Sequence, residues 1–409
     1  MSGELVNSVD FTFRDSDYIL TEDHAEEDHD EEEHEPTKFM SSSTEYGAIF
    51  DLSNDNITQK IVFNVLDEDS SIIGEEAFMN PATSEEFTLG YFMSKDIGMY
   101  NVDFGFRMDQ IDRSGSVTDE DHGDMDYYNI DDTTNSFALT LGKSLGDSLD
   151  VDFGFASVER LPSVIELFMN GPHLATGRLE VGNPNLKSET SNNFDVTFDY
   201  DNGDFYGYAS FYINKVDNYI TLMDEDDEHG DDDHDEDHGD DDHGDDHGDD
   251  HDDHADLIHS FYVQENAEFI GYELEFGRTV NLASGDLTYS FGRDQVNAEF
   301  ADGHNVPRIN PARNVYTLSY KQNDTVFKIN LKSVERQNDF AEGETATDTY
   351  RMLDTRVTKT FSVNDNSRMK VTLFANNLLD DVARNHSSFV KGPVPLPGRN
   401  VGIKFNLTF

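Results

Sequence analysis

The sequence predicts an all-β protein, an antiparallel transmembrane β-barrel of about sixteen strands. Two observations support this prediction. Apolar and polar residues alternate over runs of about eight to twelve residues, the period of a strand with one apolar face, whereas helical periodicity is scarce. The connections between these runs also alternate in length, as in an up-and-down barrel that has tight turns at one end and large loops at the other.

The final segment, Val401–Phe409, shows the alternation best. Its odd-numbered residues are Val, Ile, Phe, Leu and Phe, and its even-numbered residues are Gly, Lys, Asn and Thr. We expect the odd-numbered residues to face lipid and charges such as Lys328, Lys332, Lys370 and Lys404 to line a polar lumen. Further runs lie, in chain order, at Tyr100–Phe106, Phe137–Leu141, Val151–Phe155, Phe194–Tyr200, Phe327–Leu331 and Met369–Leu373.

The connections alternate between short and long without exception. Short turns are predicted near 54–56, 95–97, 144–147, 201–204, 281–284, 321–324 and 362–367, and long segments near 19–37, 73–84, 113–131, 158–188, 222–258, 300–311, 335–349 and 381–396. A soluble sandwich would have strands nearer about five or six residues and no such sorting of connections. We expect one antiparallel meander of adjacent hairpins, and the sequence leaves open whether its two edges meet.

Composition limits the partners and the compartment. The net charge of −58 argues against nucleic acid and anionic lipid and favours cations. No cysteine is present, so thiolate sites and disulfides are excluded. No apolar run approaches about eighteen residues, which argues against a transmembrane helix. The first residues lack the basic and apolar regions of a signal peptide, so an envelope protein would begin upstream of Met1.

Two segments combine histidines with carboxylates, and both are predicted to be extracellular loops of the barrel. Residues 224–254 contain only Asp, Glu, His and Gly, and 22–35 repeat this chemistry. A charge run that only solvates a loop needs no imidazoles, whereas imidazole and carboxylate together suit divalent metals. We expect the 224–254 loop to be disordered without metal and to bind several divalent ions weakly, with an affinity that falls between about pH 7 and 5 as histidine protonates. The candidate ligands are His24, His29, His34, His229, His234, His238, His243, His247, His251 and His254.

Several motifs make the chain resemble the TonB-dependent outer-membrane receptors of Gram-negative bacteria. They lie at Glu159–Phe168, Asn170–Gly177, Gly182–Glu189, Gln264–Ala267, Gly271–Glu275, Pro307–Arg313 and Asn376–Asp380. The last strand, ending in Phe409, is similar to the signal that the barrel-assembly machinery reads. Within the family, Gly74–Phe78, the Gly-Pro-His segment and the His/Asp-rich loops look most like the zinc-uptake receptors. The resemblance implies a multi-pass outer-membrane barrel in contact with lipid, with Zn²⁺ as the transported ligand.

The chain also departs from that family. Members carry a signal peptide, a TonB-contacting box, a plug domain and a barrel of about 22 strands. None of the first three is recognisable here, so residues 1–409 are expected to be the C-terminal part of such a barrel, without the plug. The resemblance implies a TonB partner for the full-length receptor only.

A tighter metal site is predicted at His173, within the Gly-Pro-His turn. The alternative is a loop histidine with a local hydrogen bond. The resemblance implies that zinc receptors complete a site from Glu and His of the barrel wall with Asp and His of the plug. Glu75 and Glu76 form a carboxylate pair that is either solvated or metal-binding. No nucleophile or phosphate-binding loop accompanies the pair, so no enzyme is predicted. Arg160 and Arg313 are expected to form structural ion pairs.

Two functions of other classes remain open beside metal uptake. The first is a passive porin-like channel, because an even number of strands can close. The second is a surface protein that buffers calcium or another metal; its acidic segments suit Ca²⁺, although Ca²⁺ prefers oxygen ligands to imidazole. The metal, or a chelate of it, is not determined by the sequence.

Overall fold

The computed structural model describes residues 5–22, 36–74, 77–118, 123–225, 257–364 and 367–409. Its strands are β1 Ser8–Glu22, β2 Thr37–Asp51, β3 Thr58–Ile73, β4 Ala82–Ile97, β5 Tyr100–Thr118, β6 Met125–Ser144, β7 Leu149–Arg160, β8 Asn170–His173, β9 Arg178–Val181, β10 Glu189–Asp201, β11 Phe205–Asp224, β12 Ile258–Leu282, β13 Gly285–Phe300, β14 Arg313–Gln322, β15 Thr325–Val334, β16 Tyr350–Asn364, β17 Ser367–Asn376 and β18 Asn400–Thr408. A short helix, α1 (Val164–Phe168), and a 3₁₀ turn, Leu174–Thr176, lie between β7 and β9.

Sixteen of these strands form one continuous antiparallel wall. Each pairs with the next along the chain, and β7 pairs with β10 across the long connection between them. Seven short and eight long connections alternate as predicted except between β5 and β6, where the predicted long segment 113–131 is reduced to 119–124 because strand pairing continues to Thr118 and Met125. That connection is no longer than the one between β2 and β3, 52–57. Within the described ranges, β1 pairs only with β2 and β18 only with β17, so the wall has two edges. The predicted meander of about sixteen strands is confirmed.

The hairpin of β8 and β9 departs from the predicted meander. Its two strands have four residues each and pair with each other, and the other edge of β9 pairs in parallel with the beginning of β12, which is not adjacent to it in the chain. Adjacent antiparallel hairpins therefore do not account for the whole sheet. A run of four residues is too short for a period of two to be visible, so no strand was predicted here.

The wall has one apolar and one polar face. On β18, Phe405 is opposite Val371 and Ile403 is opposite Leu373, so the odd-numbered residues of both strands share a face. That face stays exposed along the wall: Phe405 is 63% exposed and Phe153 is 58% exposed. A wide exposed apolar surface built from many strands is what a lipid environment requires.

The opposite, polar face receives the long connection that contains α1. Ser163 caps this helix by accepting a hydrogen bond from Glu166 N, and the Glu166 carboxylate accepts one from Ser163 N. Phe168 is fully buried against Gly115 of β5, where any Cβ would collide with the ring. Arg113 on the same face donates to Pro162 O and pairs with Glu86 at 2.8 Å. The connection therefore folds back inside the wall.

An apolar core fills the interior at the end where the long connections lie. Its buried members are Ile72, Phe78, Met79, Ala82, Leu167, Phe168, Met169, Leu186 and Ile220. They come from β3, β4, β11, the connection between β3 and β4 and the connection between β7 and β10, so this core fixes both connections to the wall. No helix in the described ranges is long and apolar enough to cross a membrane.

Candidate metal centre

His173 lies on the β8–β9 hairpin, directly beside the apolar core. It is the last residue of β8 and is paired with Arg178, the first residue of β9. The turn between them ends at Gly177, whose φ of 67° is a left-handed conformation that glycine adopts without strain. The turn therefore brings Glu180, seven residues further along the chain, back against His173.

The His173 ring is held on one edge and on one face. Its Nδ1 lies 3.0 Å from Glu180 Oε1, and the Phe78 ring stacks on it with centroids 4.6 Å apart. Thr176 Oγ1 lies 2.9 Å from the same Glu180 oxygen. No hydrogen-bond partner of His173 Nε2 occurs among the described residues, and the side chain is 22% exposed. A fixed imidazole with one free, accessible nitrogen can donate a lone pair to a metal ion.

The same hairpin is attached to both ends of the segment 226–256. On the C-terminal side, Ile258–Phe261 pairs in parallel with β9, so Ser260 is the register partner of Glu180. On the N-terminal side, Arg178 makes a bidentate ion pair with Asp224, at 2.9 and 2.7 Å. Ser260 Oγ also donates to Asp224 at 2.7 Å. Asp224 and Ser260, which lie on either side of the segment 226–256, are thus both tied to the hairpin that holds His173.

A second charged cluster extends from Arg178 across the interior. The Phe389 ring lies between the guanidinium groups of Arg178 and Arg308, each 4.5 Å from its centroid. The backbone N–H of Arg308 donates to both oxygens of Glu344, at 3.0 and 3.1 Å. Lys391 Nζ lies 3.8 Å from the same carboxylate. These residues join the connections after β13, β15 and β17 to the hairpin.

The charges of this second cluster are perturbed by burial and by one another. Burial lowers the pKa of Lys391, and it lowers the pKa of Arg308. Burial would raise the pKa of Glu344, but the His386 imidazole, the N–H groups of Arg308 and Ala341 and the charge of Lys391 together hold it below its usual value. His386 Nε2 lies 3.7 Å from Glu344 Oε2 and is buried without a hydrogen-bond partner in the described chain.

Most of the predicted ligands lie outside the described residues. These are His24, His29, His34, Glu75, Glu76, His229, His234, His238, His243, His247, His251 and His254. Glu75 and Glu76 nevertheless follow Gly74 and directly precede Ala77 and Phe78, whose ring stacks on His173. Within the described ranges, no three His, Asp or Glu side chains are arranged so that they could hold a metal ion. A metal ion at His173 would therefore require further ligands from outside those ranges.

The other described histidines lie in or beside long connections. His259 is the second residue of β12, His304 follows β13, and His386 lies between β17 and β18. The predicted ion pairs also form. Arg160 pairs with Glu166 and Glu189 at 2.7 and 3.3 Å, and Arg313 pairs with Asp294 at 2.7 Å.

Sequence reasoning missed Glu180 and Arg178. Neither stands in a cluster of like residues, and β9 has no recognisable strand pattern. The available signal was Gly177, because a glycine four residues after His173 is typical of a tight turn that returns the chain alongside itself. A turn at that position would have placed residues 178–180 opposite His173.

Comparisons with known proteins agree with this architecture. Residues 11–378 match the family model described as TonB dependent receptor-like, beta-barrel. The copper transporter OprC has a similar structure, with a TM-score of 0.74 and 14% identity over 100% of this chain and 63% of its own. The FrpB iron transporter from Neisseria meningitidis (F3-3 variant) gives 0.60 and 13% over 91% and 56%. A double mutant of the Serratia marcescens hemophore receptor HasR, solved with its hemophore HasA and heme, gives 0.60 and 13% over 98% and 66%. The chain thus spans less than two thirds of the first two structures.

Proposed function

Because the chain belongs to the TonB-dependent receptor β-barrel family, whose members are outer-membrane receptors and transporters, we propose that it takes up a divalent metal ion, zinc in the first place. In this proposal the segments rich in His and acid capture the ion from the medium, and His173 receives it at the mouth of the barrel. The passive channel and the calcium-buffering protein are the competing functions.

One observation carries the proposal: the hairpin that holds His173 is attached to both ends of the segment richest in metal-binding residues. Arg178 pairs with Asp224 on one side, and β9 pairs with Ile258–Phe261 on the other. An ion passed from either end of this segment to the described chain would therefore reach the hairpin that holds His173. Neither a passive porin nor a protein that only buffers calcium requires a histidine held beside the ends of a metal-binding segment.

Capture and delivery would use different chemistry. Closely spaced carboxylates and imidazoles form many nearly equivalent sites, so ions exchange rapidly among them while the negative field raises their local concentration. A single oriented imidazole, completed by carboxylates, holds one ion more tightly. Glu75 and Glu76 are the candidates for these carboxylates, because they closely precede Phe78 in the chain and the Phe78 ring stacks on His173.

The metal is proposed from the ligand types. Nitrogen and oxygen ligands in a chain without cysteine suit Zn²⁺ and also Cu²⁺. Copper is the second candidate, because the copper transporter OprC has a structure similar to this chain over its whole length. Calcium ranks last, because imidazole is a poor ligand for it.

The rest of the receptor is proposed from the family. A plug domain and a TonB-contacting box would lie elsewhere in the full-length protein and would supply the energy coupling and additional ligands that tighten a site already formed within this chain. The unpaired edges of β1 and β18 would be joined by further strands to close a barrel of about 22 strands. In this reading, the chain is the C-terminal part of the receptor.

A titration of the chain in detergent micelles with Zn²⁺, Cu²⁺ and Ca²⁺ tests the proposal. We expect several weak Zn²⁺ sites and one tighter site, which His173→Ala abolishes and which deletion of 226–256 leaves in place. His304→Ala is the matched control, because His304 also faces a carboxylate but is 76% exposed and far along the chain from the hairpin. Tighter binding of Ca²⁺ than of Zn²⁺ would favour the buffering function instead.

A further inference from the structure

Glu180 is a buried carboxylate that has no lysine or arginine partner within the described ranges. Its side chain is 5% exposed, and its one ion-pairing contact in the described chain is His173 Nδ1. Arg178, two residues earlier, pairs with Asp224 instead. Burying a carboxylate without a lysine or arginine costs several kcal/mol, on the order of the penalty for any uncompensated buried ion. A carboxylate retained at such a cost has a role besides packing.

The contact with Glu180 determines which nitrogen of His173 is free. An ionised carboxylate only accepts hydrogen bonds, so Nδ1 of a neutral His173 must carry the proton, and the lone pair is then on Nε2. Phe78 fixes the plane of the ring at the same time, because it stacks at an angle of 22° and is itself only 2% exposed. A carboxylate that accepts from one nitrogen of a histidine while the other binds metal is the usual second layer of metal sites.

We propose that Glu180 is a positioning residue that holds His173 with Nε2 directed to the transported metal ion. This inference rests on the proposed function, because it assigns Glu180 a role through His173. Thr176 supports the arrangement by hydrogen bonding, 2.9 Å from the Glu180 carboxylate. The metal itself contacts His173 and not Glu180.

The test measures zinc at His173 in the intact 409-residue chain. Diethyl pyrocarbonate modifies accessible imidazole nitrogens, and peptide mass spectrometry reports each histidine separately. The measured quantity is the free Zn²⁺ concentration that halves modification of His173. We expect Glu180→Ala to raise it by about 10- to 100-fold, the usual effect of losing a second-layer partner. Glu180→Gln should raise it by less, because an amide oxygen still accepts from Nδ1 but has no charge.

A spectroscopic signal separates positioning from a merely structural role. The imidazole ¹⁵N shifts of His173, assigned by their loss in His173→Ala, show which nitrogen carries the proton. Wild type and Glu180→Gln should both be protonated at Nδ1, and Glu180→Ala should not be. If Glu180 had only a structural role, Glu180→Ala would lower the stability of the protein without changing the tautomer of His173. If Glu180→Ala does not fold, Glu180→Gln, which has nearly the same volume, still tests the affinity.

The matched control is Asp302→Asn. Asp302 faces His304 Nδ1 at 3.1 Å, close to the distance between Glu180 and His173, but this pair is exposed. The substitution should leave the zinc dependence of His173 unchanged. If wild-type His173 is not protected by Zn²⁺, the proposed function fails. If it is protected equally well in wild type and in both Glu180 variants, the function stands and the positioning role is refuted.

Discussion

At the residue scale, the candidate centre depends on one histidine whose surroundings the sequence could not show. The Gly-Pro-His motif was enough to single out His173, because a lone histidine outside the repetitive segments has no equivalent neighbours. Its partner Glu180 was not predictable, since the contact depends on a hairpin of four-residue strands. The ring stack of Phe78 was equally hidden, because Phe78 lies 95 positions earlier in the sequence.

The first prediction compares His173 with single histidines of the segment 226–256. In the complete receptor, His173→Ala should raise the zinc concentration needed for half-maximal growth by about tenfold or more. This is the change expected if the affinity for zinc falls tenfold, which is a loss of about 1.4 kcal/mol of binding free energy. His229→Ala, His238→Ala or His247→Ala should each have little effect, because neighbouring imidazoles substitute for one another. Growth at graded zinc concentrations measures the difference. A silent His173→Ala, with strong effects in the segment, would place the essential site in the segment.

The charged cluster around Phe389 gives the second prediction, which concerns acid. The pKa of Glu344 lies below its usual value of 4.5, so the ionised carboxylate stabilises the cluster at higher pH. This stabilisation is complete above pH 4.5 and is lost as the pH falls through the lowered pKa. At low pH the cluster should therefore loosen.

Phe389→Trp provides the measurement, because the chain contains no other tryptophan. Its emission should shift to longer wavelength as the pH falls below about 4.5, when the indole leaves the two guanidinium groups. Adding Glu344→Gln should remove most of the pH dependence in that range. Glu342→Gln, two positions away, is the control and should retain it. An unchanged acid response in the Glu344→Gln protein would show that another group holds the cluster.

At the element scale, the structure adds one unit that the sequence pattern does not contain. The long strands were predictable because a period of two repeats many times in each, as in Val401–Phe409. The β8–β9 hairpin was not, because its position is decided by tertiary contacts. These are the parallel pairing with β12, the Arg178–Asp224 ion pair and the burial of Phe168 against Gly115.

The third prediction tests that attachment. The chain has no cysteine, so Leu179→Cys with His259→Cys, which replaces register partners of β9 and β12, should form a disulfide under mild oxidation. Adding Arg178→Gln should reduce its yield, because it leaves Asp224 buried without its cation at a cost of about 3–5 kcal/mol. The control is Arg336→Gln, which removes an exposed ion pair and should leave the disulfide yield unchanged. The yield is read on a non-reducing gel. Equal yields in all proteins would show that the Arg178–Asp224 ion pair does not hold β9 against β12.

At the scale of the whole molecule, the regular part of the architecture followed from the sequence and the edges did not. Alternating short and long connections predicted the sixteen-strand wall, because a barrel of adjacent hairpins has short turns at one end and long loops at the other. Within the described ranges β1 and β18 each pair with one strand, and no sequence pattern specifies whether these two edges meet. The apolar outer face and the acidic loops remain consistent with one membrane protein that faces the medium at its long-connection end.

The most direct test of the central claim is a zinc-edge anomalous difference map of the Zn²⁺-soaked receptor. We predict a peak about 2.0–2.1 Å from His173 Nε2, the normal Zn–N distance. His173→Ala should remove this peak and leave any weaker peaks along 226–256. A strong peak elsewhere in the barrel, with none at His173, would contradict the claim that this histidine receives the metal.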